Sequence, residues 1–496
     1  MFSPTLEEVK EIAKNKEYKR IPISSELFSD IATPIEVMKK LKKISKHCYM
    51  LESVEESEQW GRYSFLGYNP LLEFTCQDNV VTIKDVSSGD VKTFESAHPR
   101  DIINDLINEN RAPKIPELPT FAGGFVGYFA YDYIKYVEPS LKLDAENQDQ
   151  FKDIDLMLFD KVIAFDNFKQ KIVLIVNMKT DNLEENYHKA IEELKEMENL
   201  IKNGEKADIP PLELKSDFKP VFSREAYCEM VDKAKSYIVE GDIFQVVLSN
   251  RIEANIEGSL FDTYRVLRTT NPSPYMFYFS SNDIEIAGAS PETLVKLADR
   301  KLYTFPLAGT RPRGKTTKED LNLEKELLND EKELAEHNML VDLGRNDIGR
   351  ISEIGSVSVD KYLSIERFSH VMHIGSTVTG TLRDNLDTLA AIDSILPAGT
   401  LSGAPKIRAC EIINELEDNK RGIYGGAIGY IDLSGNIDTC ISIRIAFARN
   451  GKVFIRSGAG IVADSVPNNE FNECLNKAAA VINALKIANG GIKWLF

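Results

Sequence analysis

Residues 223–280 read SREAYCEMVDKAKSYIVEGDIFQVVLSNRIEANIEGSLFDTYRVLRTTNPSPYMFYFS, and the order of elements in this stretch decides the fold class. A helix is expected over 223–240, followed by the strand FQVVLSN. A second helix over 259–269 then leads through the turn NPSP into the strand YMFYFS. Several short strands and one long helix over 318–343 come next. Helices and strands mix without the steady β-α-β alternation of a doubly wound sheet. The expectation is therefore an α+β fold, with mainly antiparallel sheets packed as a two-layer core and flanking helices. Upstream lie the β-rich segments RYSFLGYNP (62–70) and KVIAFDN (161–167), the glycine cluster FAGGFVGYFAYDY (121–133) and a charged helix over 183–202. Residues 205–222 are proline-bearing, charged and aperiodic, which reads as a linker or long connection between an N-terminal region (1–204) and a C-terminal region (223–496).

Composition narrows the class. A chain of 496 residues is too long for one small domain, and 43% apolar with 28% charged residues is the balance of a soluble globular protein. The formal net charge of −17 argues against nucleic acid or an anionic membrane as partner. There is no run of 18 apolar residues and no apolar segment near the start that reads as a signal peptide, so a cytoplasmic protein is expected. The six cysteines show no C-x-x-C spacing. Neither a zinc site nor a disulfide framework is indicated, and the thiols are expected to be reduced.

Candidate chemistry concentrates between residues 305 and 473. Glu333/Glu336 in KELAEHNMLVDLGRND and Glu470/Glu473 in NNEFNECLNKAAAV are two acidic pairs on expected helices, each with both carboxylates on one face. Such pairs suit a hard cation such as Mg²⁺. Glu470 and Glu473 equally suit the first turn of a helix after Pro467. Glu336 precedes Leu340 and Leu343 by four and seven positions, which places it on an apolar face. The strand DTCISIRIAF alternates Ile441, Ile443, Ile445 and Phe447 with Cys440, Ser442, Arg444 and Ala446. Arg444 thus stands among small residues, as either a carboxylate ligand or an edge-strand arginine. Strand KVFIRS runs into Gly458-Ala459-Gly460, which fits a tight turn or a close backbone approach to an anion. His370 and His373 in RFSHVMHIGS fit either proton transfer or a core role. The segment LPAGTLSGAPKIRA joins a hydroxyl-rich turn to a helix start without P-loop spacing, so ATP is not implied.

PLAGTRPRG (306–314), EHNMLVDLGRNDIGR (336–350), HVMHIGS (370–376), LPAGTLSGAPKIRA (396–409), RGIYGGAIGY (421–430), IDTCISIR (437–444), SGAGIVADS (457–465) and, near the N-terminus, LESVEESEQWGRYSFLGYNP (51–70) together resemble anthranilate synthase component I, one of the chorismate-utilising enzymes. The resemblance implies that Glu336 and Glu473 hold Mg²⁺, with Glu333 and Glu470 supporting them directly or through water. It implies His373, rather than His370, as the catalytic histidine that protonates the departing hydroxyl. Thr400 is implied as a hydroxyl in the same pocket, and Gly309, Thr310, Tyr424, Arg444, Gly458, Ala459 and Gly460 as chorismate contacts. Two positions separate this family from its neighbours. Isochorismate and salicylate synthases carry a lysine where Gln245 stands, and aminodeoxychorismate synthases carry one where Ala308 stands. With neither lysine present, ammonia rather than water is the expected nucleophile. No cysteine has the G-x-C-x-G neighbours of a glutaminase, so a glutamine amidotransferase subunit is the implied ammonia source. Ser53 with Leu51-Glu52, and Pro274, Tyr275 and Met276 in NPSPYM, match the family's segments for L-tryptophan, the expected feedback inhibitor. Met276 is expected against the indole.

Overall fold

The computed structural model describes residues 2–53, 61–367 and 371–492. Two large sheets carry the described residues. The first, of 14 strands, places Arg20–Phe28, Lys171–Lys179, Lys161–Asp166, Tyr63–Tyr68, Cys48–Glu52, Tyr275–Ser280, Ile284–Ser290, Ile445–Arg449, Lys452–Ile461 and Gln245–Glu257 side by side. The second, of 12 strands, runs Leu307–Pro312, Val371–Thr381, Lys301–Thr304, Thr293–Ala298, Ile437–Ile441, Ala427–Asp432, Gly124–Phe129, Ile154–Phe159 and Leu72–Gln77, ending on two further hairpin strands. The ladders joining these strands are antiparallel, as an α+β fold requires. Residues 205–222 do not divide the molecule into two bodies. Strands from both sides of them pair in both sheets, for example Met276 with Glu52 and Gly429 with Gly127. Within the connection, Glu213–Leu214 and Lys219–Pro220 themselves pair with Gln245–Glu257.

Side-chain parity explains the layers. Along Tyr275–Ser280, Phe277 and Phe279 point into a core shared by the two sheets, where they join Tyr128, Val126 and Ile428 of the second sheet. Met276 and Tyr278 point the other way, into a core closed by helices. Helix Leu183–Asn203 enters that outer core through Tyr187, Ala190, Leu194, Met197 and Ile201, and helix Pro467–Ala488 through Ala478, Val481 and Leu485. The spacing of three and four between those residues makes each helix bury one stripe. Among the described residues, no helix is long and apolar enough to cross a membrane.

Three local expectations change. The expected helix over 318–343 is two helices, Thr317–Leu328 and Glu331–Gly349, because Asp330 turns its side chain onto the backbone N–H groups of Lys332 and Glu333 and starts a new helix there. The expected strand DTCISIRIAF is two strands in different sheets. Ile437–Ile441 belongs to the second sheet and Ile445–Arg449 to the first, with the chain crossing between them at Ser442–Arg444. Ser442 exchanges backbone hydrogen bonds with Gly425 and Gly426, and Arg444 takes φ 53°, which breaks strand alternation. Gly458-Ala459-Gly460 is no turn; it lies inside strand Lys452–Ile461, opposite Ser249, Leu248 and Val247.

Candidate active site

The floor of the site is built where the first sheet opens. Strand Lys452–Ile461 pairs with Gln245–Glu257 over its whole length, but with Ile445–Arg449 only from Lys452 to Phe454. The partner strand begins at Ile445, just after the crossing at Arg444. Among the described strands, nothing else pairs with that side of 455–461. Main-chain groups of Gly458, Ala459 and Gly460 therefore border the gap beside Arg444. Small size matters at both glycines. A Cβ on Gly460 would lie 2.7 Å from the Gln245 amide nitrogen, and one on Gly458 would lie 3.1 Å from the Tyr424 hydroxyl. The glycines leave room for the two groups that face them.

One wall comes from strand Leu307–Pro312. A bulge between Ala308 and Thr310 puts Gly309 at φ 65° and sets Thr310 opposite His373. His373 Nδ1–H donates to the Gly309 carbonyl at 2.8 Å, and Thr310 Oγ1 stands 3.1 Å from the same nitrogen. A carbonyl can only accept, so this contact fixes the tautomer. Burial, aided by the Arg444 charge and opposed by the Gly309 bond, lowers the His373 pKa and keeps the ring neutral near pH 7. Ala308 is buried opposite Ile374 and offers no nucleophile.

The rim carries the acids. Glu333 lies beside Gly309, whose added Cβ would meet its Oε2 at 3.2 Å, and it receives Arg311 at 3.4 Å. Glu336 is solvent-accessible rather than set on the apolar face, which belongs to His337, Leu340 and Val341. Crowding by the protein raises its pKa, with the charges of Glu333 and Glu473 adding to the effect. Glu470, in the first turn of helix Pro467–Ala488, is raised by burial and by Glu473. Glu473 is held by Lys477 at 2.7 Å, and Lys477 also donates to the Gly458 carbonyl at 3.1 Å. Two helices thus bring like charges close enough to oppose one another's ionisation. Among the described residues no three His, Cys, Asp or Glu side chains converge into a closed metal cage. That donor set fits a hard cation that keeps waters and completes its shell from an anionic substrate.

Sequence reasoning missed Glu292. Thr400 Oγ1 donates to Glu292 Oε1 at 3.1 Å, and burial raises this carboxyl to about 7, against the opposing effects of Thr400, Lys477 and Arg444. Its signal in the sequence is slight: one acid in Ser290-Pro291-Glu292, between two strands.

A separate cavity of about 270 Å³ lies between the sheets. Ser53, Pro274, Tyr275 and Met276 all border it, brought together by the pairing of Cys48–Glu52 with Tyr275–Ser280. The Tyr275 hydroxyl donates to Asp438 at 2.8 Å, and Lys296 pairs with Asp438 at 3.0 Å. The Met276 side chain packs in the helix-side core, so Met276 meets this cavity through its main chain. Strand Val371–Thr381 serves both places: His373 belongs to the active-site wall, while Gly375, Ser376 and Thr377 border the cavity. His370 and residues 54–60 of the N-terminal motif lie outside the described residues.

Residues 31–483 match the family described as chorismate binding enzyme. The chain is 46% identical over 496 residues to anthranilate synthase component 1 of Acetivibrio thermocellus, covering 98% of this chain and 99% of that protein. It is 44% identical over 490 residues to the protein of the same name from Aquifex aeolicus, covering 98% of each. Among solved structures, anthranilate synthase component I from Streptococcus pneumoniae superposes with a TM-score of 0.74 at 37% identity, covering 92% of this chain and 98% of that one. The menaquinone-specific isochorismate synthase of Escherichia coli shares the fold, with a TM-score of 0.68 at 19% identity over 97% of this chain and 98% of its own.

Proposed function

The chain belongs to the family of chorismate-binding enzymes, and from that premise we propose that it is the synthase component of an anthranilate synthase. It joins chorismate and ammonia to give anthranilate, pyruvate and water, as a step of tryptophan biosynthesis. One observation supports this reading over its neighbours. The site has cationic and main-chain groups for a dicarboxylate, yet holds Gln245 and Ala308 where a lysine would direct other chemistry.

Arg444 and the main chain of Gly458–Gly460 receive a carboxylate, with Tyr424 and Thr310 at the sides. Ammonia forms the new C–N bond beside the ring carboxylate as the allylic C–O bond breaks, and the departing hydroxyl leaves as water once it gains a proton. Glu292, poised near neutrality, is the better donor of that proton than His373, which is neutral at rest. A neutral imidazole suits the second step: it takes the ring proton at the aminated carbon while the enolpyruvyl C–O bond breaks, releasing pyruvate and an aromatic ring. Glu336 and Glu473, with Glu333 and Glu470 in support, would hold Mg²⁺, which when bound would supply positive charge for the ring carboxylate.

The ammonia comes from glutamine on a partner amidotransferase chain. All six thiols of this chain are pushed up by burial, Cys48 to about 12 and Cys76 to about 11. None supplies a thiolate nucleophile at neutral pH. L-tryptophan occupies the cavity between the sheets, with Ser53, the main chain around Pro274 and the Tyr275 ring as its contacts, and opposes closure of the active site. The enzyme works in the cytoplasm.

Purified protein incubated with chorismate, Mg²⁺ and an ammonium salt at alkaline pH should yield anthranilate and pyruvate in equal amounts. Isochorismate or aminodeoxychorismate as main product, or glutamine-dependent turnover by the isolated chain, would overturn the proposal. Tryptophan should inhibit that reaction, and Ser53→Phe should abolish the inhibition while turnover is largely kept. Equal sensitivity of the two proteins removes Ser53 from the inhibitor site.

A further inference from the structure

Strand Val371–Thr381 has two faces with different neighbours. Met372 and Ile374 pack in a cluster with Leu327 that Leu334 covers, and Val378 joins Val341 and Ile348, so these positions meet the helices, Glu331–Gly349 among them. The alternate positions carry His373 at the active-site wall, and Gly375 and Thr377 at the cavity between the sheets. Ser376 falls in the helix-facing set and is 3% exposed. Its Oγ lies 2.7 Å from His337 Nε2 and accepts the Leu363 N–H at 3.1 Å. His337 is 0% exposed and follows Glu336 directly in helix Glu331–Gly349. In either tautomer its other nitrogen, Nδ1, is buried without a hydrogen-bond partner among the described residues.

Packing does not call for a histidine here. A phenylalanine ring would occupy the same space without burying an unpaired nitrogen. What the imidazole adds is direction: apolar packing holds a helix on a strand without fixing where along it the helix stands, and a hydrogen bond fixes that. The other polar link of this kind, from the Tyr362 hydroxyl to Asn338 Oδ1 at 2.6 Å, is open to solvent. Leu363, whose N–H completes the chain, takes φ 53°, a conformation that leucine keeps only where its surroundings impose it. It lies in a bulge of strand Ser358–Arg367, two residues after Lys361, which also borders the cavity. Cavity wall, Leu363, Ser376, His337 and Glu336 thus form one connected line. We propose that His337 is a positioning residue that couples this cavity to the rim: it holds Glu336 where the cavity wall sets it, and an amino acid filling the cavity displaces the rim acids by moving Ser376. The inference rests on the reading of the cavity as the tryptophan site, which tryptophan binding to the wild type decides by itself.

Coupling between two sites is reciprocal and can be read without turnover. With ammonium omitted, calorimetric titration of the full chain with L-tryptophan, in the presence and in the absence of chorismate with Mg²⁺, gives the ratio of two Kd values. In the wild type chorismate should raise the tryptophan Kd roughly tenfold. His337→Phe should bind tryptophan alone with a Kd within about threefold of the wild-type value, and the ratio should fall below about threefold. His337→Gln, whose amide can reach the place of Nε2, should keep most of the ratio, and Tyr362→Phe should leave it at the wild-type value. If His337→Phe fails to fold, Ser376→Ala removes the same bond from the other side and carries the same fall in the ratio. A wild-type ratio that persists in His337→Phe and Ser376→Ala, or falls equally in Tyr362→Phe, overturns the proposal and leaves the inhibitor reading standing. A wild type that binds no tryptophan, or binds it equally well with chorismate present, removes that reading and the proposal with it.

Discussion

Glu417 beneath the floor and Glu336 on the rim are both helical glutamates beside one site, and their surroundings push them opposite ways. Glu417 is sealed from water, and Arg421 and Arg456 hold its pKa down despite burial. Glu336, on the rim, is pushed up first by the protein that partly covers it and then by the charges of Glu333 and Glu473. The floor satisfies its charges internally and so fixes geometry. The rim leaves like charges facing one another, a state that a cation or a substrate proton relieves. Where opposite charges are closed on themselves they set shape; of the four rim acids only Glu333 and Glu473 pair with a cation among the described residues, Arg311 and Lys477, which leaves charge for a ligand to meet.

The sharpest break of that contrast is at the wall between the two. His373→Ala should depress turnover roughly 10²–10⁴-fold with the melting temperature nearly unchanged. Rapid-quench analysis should find the aminated, non-aromatic intermediate accumulating; unchanged turnover would return His373 to a packing role. Next in size, Glu336→Gln should lower activity about a hundredfold or more without loss of stability in metal-free buffer. The sign follows from linkage. A raised native pKa means that the folded state binds more protons, so stability falls as pH rises through the interval from the ordinary carboxylate range to the raised value. The substitution removes that decline, and thermal melts across the acidic range in a chelator will show whether it does. For Glu292→Gln, the falling limb of the kcat profile near pH 7 should disappear, measured with ammonia saturating at each pH; a persisting limb would assign that titration elsewhere. The smallest effect on turnover belongs to Met276→Ala. This change should cost about 2–5 kcal/mol of stability and leave tryptophan sensitivity close to wild type, because the side chain packs against helices. Loss of inhibition at unchanged stability would put Met276 back against the inhibitor.

Much of this was legible in the residues. Irregular alternation of helices and strands gave antiparallel α+β architecture, and the motif strings gave the family. What escaped depends on contacts between distant segments. The alternation in DTCISIRIAF is that of a good strand, and nothing local says that Ile441 and Ile445 join different sheets. The capture of Ser442 by Gly425 and Gly426 decides it. In YMFYFS both faces are apolar, because one meets a second sheet and the other meets helices, so parity could not tell which face Met276 takes. Glu292 is one acid among many until folding sets it against Thr400.

The interleaving of early and late strands has a consequence for synthesis. Cys48–Glu52 waits for Tyr275–Ser280, Gly124–Phe129 waits for Ala427–Asp432, and Gln245–Glu257 waits for Lys452–Ile461. Such distant pairings make folding slow and leave strand edges exposed until their partners arrive. The first sheet therefore stays incomplete until residue 461 has been made, and a truncated product ending before Glu473 lacks part of the candidate site.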